Sequence, residues 1–162
     1  MSFIADAWNL KYAANDPRWL AYAYATSYLE TAHTMQPIEE FGRGHGYPYG
    51  VPDPVTHQTY YGRGYVQLTW LANYRKLGQL LHLDLVTHPE MALDPRTAAA
   101  IMFEGMIDGL FTGRKLADYF NSHRSDAFGA RRIINGTDHA GDIADYYGEF
   151  LDALADQKYT SD

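Results

Sequence analysis

Three carboxylates and one run of polar and aromatic residues are the parts of this chain that could do chemistry. Glu30, in Tyr28-Leu29-Glu30-Thr31-Ala32-His33-Thr34, closes a run of almost wholly apolar residues, and Glu39 and Glu40 follow nine and ten residues later. An acid among apolar side chains at the negative end of a helix is a candidate proton donor. Carboxylates on different elements flanking a cleft are the pairing that acid–base cleavage of a glycosidic bond uses. The plainer readings are a helix-end glutamate pointing into water and a solvated acidic pair in a loop. Spacing alone leaves both open.

The stretch Tyr60-Tyr61-Gly62-Arg63-Gly64-Tyr65-Val66-Gln67-Leu68-Thr69-Trp70-Leu71-Ala72-Asn73-Tyr74 is more specific. Its glycines allow close backbone approach and its tyrosines offer flat faces. Gln67, Thr69 and Asn73 set amides and a hydroxyl in or beside one turn. Gly62-Arg63-Gly64 lacks the lysine of a phosphate loop. His33, His45 and His57 bracket the carboxylates, but none pairs with another His at helical spacing beside an acid, so no metal is expected. Arg131 and Arg132 either bind an acidic group or pair with Asp126 and Asp138.

The elements that must hold these residues read as helices around one irregular segment. Asp16 as N-cap and Pro17 start a helix to about His33, and its apolar residues on all sides mark it as buried. Further helices are predicted over 69–81, 95–110, 114–120, 126–134 and 140–155. Residues 41–64 hold six glycines and three prolines, which predicts a loop with a small β-hairpin. The class is mainly α (α+β), one domain over 1–162 with the small β lobe beside the cleft. With 46% hydrophobic residues the chain buries a proper core, and it has no cysteine for a disulfide or a thiol nucleophile.

Net charge is −7, which argues against a nucleic-acid partner. Residues 138–162 hold seven acids and one base, so −6 of that charge belongs to the last helix and its end. The cleft side is expected to be neutral or basic through Arg43, Arg63, Arg75, Lys76, Arg131 and Arg132, with the acidic helix pointing away. No apolar run approaches membrane-spanning length and the first residues lack a secretory pattern. Synthesis in the cytoplasm without a leader is therefore expected.

The motifs resemble glycoside hydrolase family 19, the chitinase family of the lysozyme-like superfamily, and above all its phage and bacterial endolysin-like members. The matching blocks are Glu30-Thr31 with His33 to Ile38, Tyr61-Gly62-Arg63-Gly64 through Gln67-Leu68-Thr69 to Asn73-Tyr74, Asp94-Pro95, Phe111 to Leu116, and Gly129 to Gly136. They keep the family's order from about Trp19 to Leu154. The resemblance implies that Glu30 is the general acid and that the second carboxylate is Glu39 or Glu40, with Glu40-Phe41-Gly42 favouring Glu40. It implies that Thr69 helps hold the attacking water, that Gln67, Asn73 and Asn135 line the substrate cleft, and that Tyr61 and Arg63 lie near it. Leu29 stands where the family often has His, and the plant-type disulfides are missing. The implied function is inverting hydrolysis of β-1,4 bonds in peptidoglycan by a cofactor-free monomer without stable membrane association, released to the wall by a membrane-permeabilising partner. The alternatives are a chitinase acting on poly-N-acetylglucosamine and a non-catalytic sugar-binding or virion module.

Overall fold

The computed structural model describes residues 2–159. The buried helix comes second, as α2 (Pro17–Glu30), after α1 (Phe3–Ala7) and a π-helical turn over Trp8–Tyr12. The sequence reading assigns no element before Pro17. The π-turn buries Trp8 and Tyr12, which pack on Phe103 with ring centroids 5.7 and 4.8 Å apart. Asp16 caps α2 by accepting from the Arg18 amide at 3.0 Å, with Pro17 in the first turn, where its missing N–H costs nothing. The helix stops at Glu30, three residues short of expectation, because Ala32 and His33 take left-handed φ angles.

Strand β1 (Ile38–Glu39) pairs antiparallel with β2 (Arg63–Gly64), Ile38 opposite Gly64 and Glu39 opposite Arg63. Residues 40–62 are therefore not the expected hairpin. They form one long loop pinched at its base, with the Glu40 amide donating to the Gly62 carbonyl at 2.7 Å. Inside it the backbone crosses itself at Gly44 and Gly50. A Cβ on Gly44, whose φ is +73°, would lie 2.6 Å from the Gly50 Cα, so only glycine fits the crossing.

Helix α3 (Leu71–Leu81) begins two residues later than predicted. Helix α4 (Pro95–Asp108) starts as expected, its Asp94 cap accepting from the Thr97 amide at 2.9 Å. The predicted 114–120 helix is reduced to α5 (Leu116–Tyr119), because the chain then turns into a hairpin, β3 (Phe120–Asn121) against β4 (Arg124–Ser125). The predicted 126–134 helix is only a 3-10 turn over Gly129–Ile133, whose first amide donates to the Asp126 carboxylate at 2.7 Å. Last comes α6 (Ala140–Tyr159).

Helices α2 and α6 meet along an aromatic seam. Tyr22, Phe120 and Tyr147 lie within 5.2–6.2 Å of one another, and Tyr24 stacks on Phe150 at 5.3 Å. Ile143 and Tyr147 are buried while Asp142, Asp145, Glu149, Asp152 and Asp156 face water, as the spacing of the acids predicts. Asp162 lies outside the described residues. On α4, Ala98, Ala99, Met102, Phe103 and Met106 are buried, and the Ser27 hydroxyl donates to the Met102 sulfur at 3.1 Å.

Two helical glycines should respond oppositely to alanine. At Gly105 the new Cβ would come within 2.1 Å of the Phe111 ring, so Gly105→Ala should cost about 1–3 kcal/mol through overpacking. At Gly148 nothing lies within 4 Å, so Gly148→Ala should add about 0.5–1 kcal/mol by restricting the unfolded chain. Urea midpoints of the two variants check the signs; a stabilised Gly105→Ala would mean that Phe111 moves freely.

Candidate active site

Two adjoining cavities of about 420 and 360 Å³ share Glu30, Gln67 and Asn135, so they make one groove. The first is completed by Tyr49, Thr69, Trp70, Asn73, Phe111 and Ile134. Glu39, Glu40, Phe41, Arg131, Asp138 and His139 border the second. A cavity of similar size between α1 and α4, near Phe3, Leu10 and Tyr12, contains none of the candidate residues.

Glu30 reaches this groove because α2 ends there and its end is locked. The fully buried Thr31 hydroxyl donates to the Ser27 carbonyl at 2.7 Å and accepts from the Met35 amide at 3.0 Å. His33 stacks on Tyr28 at 4.3 Å, and the Tyr146 hydroxyl lies 3.3 Å from its ring nitrogen. Across the groove, Arg131 Nη1 sits 2.6 Å from Glu30 Oε1, the arginine side chain 4% exposed and the glutamate 16%. Its Nε donates to the backbone carbonyl of Asp138 at 2.8 Å. Of the readings open for Arg131, pairing with the side chain of Asp126 or Asp138 is replaced by pairing with Glu30. The Asp126 carboxylate pairs with Arg124 and takes the Gly129 amide, which with the nearby arginines holds it below the usual range.

The two neighbouring acids are held differently. Glu40 accepts from the Tyr49 hydroxyl at 3.1 Å on one oxygen and from the Gly62 amide at 3.0 Å on the other. Desolvation, and then the Glu40 carboxylate, push the Tyr49 hydroxyl up to about 12, so it remains a donor. Tyr49 also meets Trp70 edge to face at 5.0 Å, which joins Glu40 to the half of the groove holding Thr69. Glu39 accepts from the Tyr61 hydroxyl at 3.0 Å and pairs with Arg43 at 3.0 Å.

The polar turn after β2 spends half of its hydrogen-bonding groups on itself. Gln67 donates its amide nitrogen to the carbonyls of Ile38 at 3.0 Å and Gly64 at 3.2 Å. Thr69 donates to the Gln67 carbonyl at 2.8 Å, and Asn73 donates to the Thr69 carbonyl at 2.9 Å. Asn135 accepts from the Gly136 amide at 2.9 Å. The Oε1 of Gln67, the Oδ1 of Asn73, the Thr69 lone pairs and the Asn135 amino group stay available at the groove. Gln67 and Trp70 adopt φ of +54° and +75°, strain of the kind that collects at functional turns.

Tyr61 and Arg63 lie near the groove, Tyr61 through its bond to Glu39, but neither lines it, so they are not placed to bind substrate directly. Both are buried; the Arg63 guanidinium lies 3.7 Å from the Tyr61 ring centre and donates to the Thr59 carbonyl at 3.0 Å and the Tyr74 hydroxyl at 2.9 Å. They knit the lobe together. The expected basic cleft side also changes, since Arg63 and Arg131 are buried and Arg43 is paired. The acidic stretch does not point wholly away, because Asp138 and His139 border the groove. Tyr49, Trp70 and Phe111 are groove residues that motif reasoning missed. Trp70 lay inside the quoted segment, whereas Tyr49 is brought in only by the loop crossing.

No family model matches the chain. It is 33% identical to Chitinase 8 of Oryza sativa subsp. japonica over 87 residues, 54% of this chain and 32% of the rice protein. It is 47% identical over 47 residues to inactive chitinase-like protein 1 of Hevea brasiliensis, 27% of this chain and 15% of that protein. The chain thus spans less than a third of the length of these curated relatives. Chitinase C from Streptomyces griseus superposes with a TM-score of 0.69 at 22% identity, over 94% of this chain and 83% of that one. A bacterial family 19 chitinase superposes with a TM-score of 0.64 at 23% identity, over 94% and 84%. The fold is the mainly α fold of the family 19 chitinases, as the motif resemblance implies.

Removing Arg131 tests what fixes Glu30. Arg131→Met should cost about 1–3 kcal/mol, because it strands a half-desolvated acid. Combined with Glu30→Gln, part of that loss should return, giving a coupling of at least about 0.5 kcal/mol in a double-mutant cycle followed by urea denaturation. Strict additivity would show that the ion pair holds nothing.

Proposed function

We propose that the protein is a glycoside hydrolase that cleaves β-1,4 bonds between N-acetylated amino sugars with inversion. The observation that carries this reading is the convergence of Glu30, Glu40 and Thr69, from three separate segments, on one groove whose free polar groups match an acetamide. Glu30 gives its proton to the glycosidic oxygen, and Arg131 offsets the negative charge this leaves behind. Glu40, oriented by Tyr49 and Gly62, takes a proton from a water that also donates to Thr69. Thr69 is fitted to accept, since its own hydrogen is already given to Gln67. A carboxylate acting through water, not as nucleophile, yields an inverted anomer.

Substrate choice follows from the remaining groups. An acetamido group has one N–H to donate and one carbonyl to accept; Gln67 Oε1 or Asn73 Oδ1 serves the first and the Asn135 amino group the second. Among polymers of such sugars we place peptidoglycan in the groove. The groove edge is open at Phe41, 88% exposed, and Trp70, 49% exposed, leaving room for substituents on the sugars. Chitin is the second reading, favoured by the name of the rice relative. We further propose that the enzyme works as a monomer, is made in the cytoplasm and reaches the wall through a membrane-permeabilising partner.

Glu30→Gln should lower turnover by at least about 10²-fold with the fold retained. Glu40→Gln should abolish activity, and Glu39→Gln should leave most of it. Mass spectrometry of digests of purified peptidoglycan and of chitin oligosaccharides names the bond cut, and proton NMR of the fresh product names the anomer. Unchanged lysis by Glu30→Gln would take the acid role from Glu30, binding without cleavage by the unmodified protein would leave a sugar-binding module ahead, and the opposite ranking of Glu39 and Glu40 would exchange their roles.

A further inference from the structure

At one end of the groove three segments of this acidic protein gather positive charge. Loop residue Phe111 and, after the 3-10 turn, Ile134 line that end. Lys76 on α3, Arg114 and Lys115 in the loop before α5, and Arg132 in the 3-10 turn belong to the three segments that meet there. The loop is tied to both neighbours: Lys76 Nζ donates to the Leu110 carbonyl at 2.8 Å, and Thr112 Oγ1 donates to the carbonyls of Arg132 at 2.6 Å and Ile133 at 3.0 Å. All four basic side chains are exposed, and none makes an ion pair among the described residues. The acids of the same stretch have other partners: Asp118 accepts from the Lys115 amide, and Asp126, although Arg132 also acts on it, pairs with Arg124 and accepts from the Gly129 amide. The opposite end of the groove carries Glu39, Glu40 and Asp138. The groove is electrostatically polarised.

We propose that this basic rim binds the carboxylates of the peptides that hang from a peptidoglycan strand lying in the groove. The inference rests on the peptidoglycan reading above. Clustered like charges repel one another, and a neutral chain of N-acetylglucosamine offers them no counter-charge. Peptidoglycan does, because peptides with free carboxylates are joined through a lactyl ether to its sugar rings. A group borne by the bound sugar itself emerges at the groove's edge, where Arg114 and Arg132 can meet a carboxylate with the planar fork of a guanidinium. Phosphates of teichoic acids carried by the same glycan are the competing anions, so the test varies them separately. The polarity also sets direction: the strand lies with a peptide-bearing sugar next to Phe111 and Ile134, away from Glu39 and Asp138.

The test compares the unmodified full chain with the double variant Arg114→Glu, Arg132→Glu on three substrates. One is purified peptidoglycan freed of teichoic acid; the second is the same glycan after an amidase has removed its peptides and the lactyl carboxylates this exposes have been capped as neutral amides; the third is peptidoglycan that keeps its teichoic acid. The expected result is a rise in KM of about tenfold on the peptide-bearing substrate at low salt, with kcat kept and the peptide-free glycan cut as before. The gap should narrow as salt approaches 0.5 M, and Arg114→Lys with Arg132→Lys should recover most of the loss. Equal loss on the first two substrates would overturn the proposal, because the rim would then only shape the groove; so would no loss on either. A loss seen only with teichoic acid present would assign the rim to phosphate and overturn it too. If the unmodified protein cuts chitin oligosaccharides but none of the peptidoglycan substrates, the functional reading itself fails, and the inference with it.

Discussion

A guanidinium withdrawn from water must be paired, and the pairing of Arg131 with Glu30 is the constraint on which the site depends. Leaving either charge buried alone would cost about 1–3 kcal/mol, so the end of α2 and the Gly129–Ile133 turn must meet at one point. The same guanidinium holds the Asp138 carbonyl, which brings the approach to α6 to the same place. From that junction α2 and α6 run together along their aromatic seam, and the groove opens beside it. Glu30 thus stands at the end of a packed helix, while Glu40 arrives on a loop.

That loop is made rigid by other means. It has almost no sheet, yet its base is closed by the β1–β2 pair and its middle by a backbone crossing that admits no side chain. Tyr47 stacks on Tyr49 at 5.1 Å, Tyr49 meets Trp70, and the Tyr49 hydroxyl reaches Glu40. Buried beneath, the Arg63 guanidinium lies against Tyr61 and Tyr74 and bonds to carbonyls of the lobe. Short covalent distance to the groove did not make Tyr61 and Arg63 ligands, because a lobe this poor in aliphatic side chains needs its aromatics and its arginine for its own packing.

Charge is distributed along the molecule in the same economical way. The acids of α6 lie mostly on its solvent face, and only its approach, Asp138 and His139, enters the groove. There the Asp142 carboxylate, and then that of Asp138, holds the His139 imidazole above its usual range. A net charge of −7 therefore describes the outside of one helix better than it describes the surface a substrate meets.

Much of the helical frame and its class was legible before any coordinates. Asp16-Pro17 and Asp94-Pro95 start helices by local hydrogen bonds and a fixed φ, and the spacing of apolar and acidic residues set the buried faces of α2 and α6. Glu30, Gln67, Thr69, Asn73 and Asn135 were legible too, because a motif records residues that one short backbone segment presents together. Tertiary structure alone decided the rest. Arg131 meets Glu30 over 101 residues of chain, Tyr49 reaches Glu40 through a loop crossing, and the basic rim is assembled from three segments. Periodicity and capping arise from neighbours a few positions apart, whereas a buried charge is satisfied by whatever partner the packing of distant elements brings within about 3 Å.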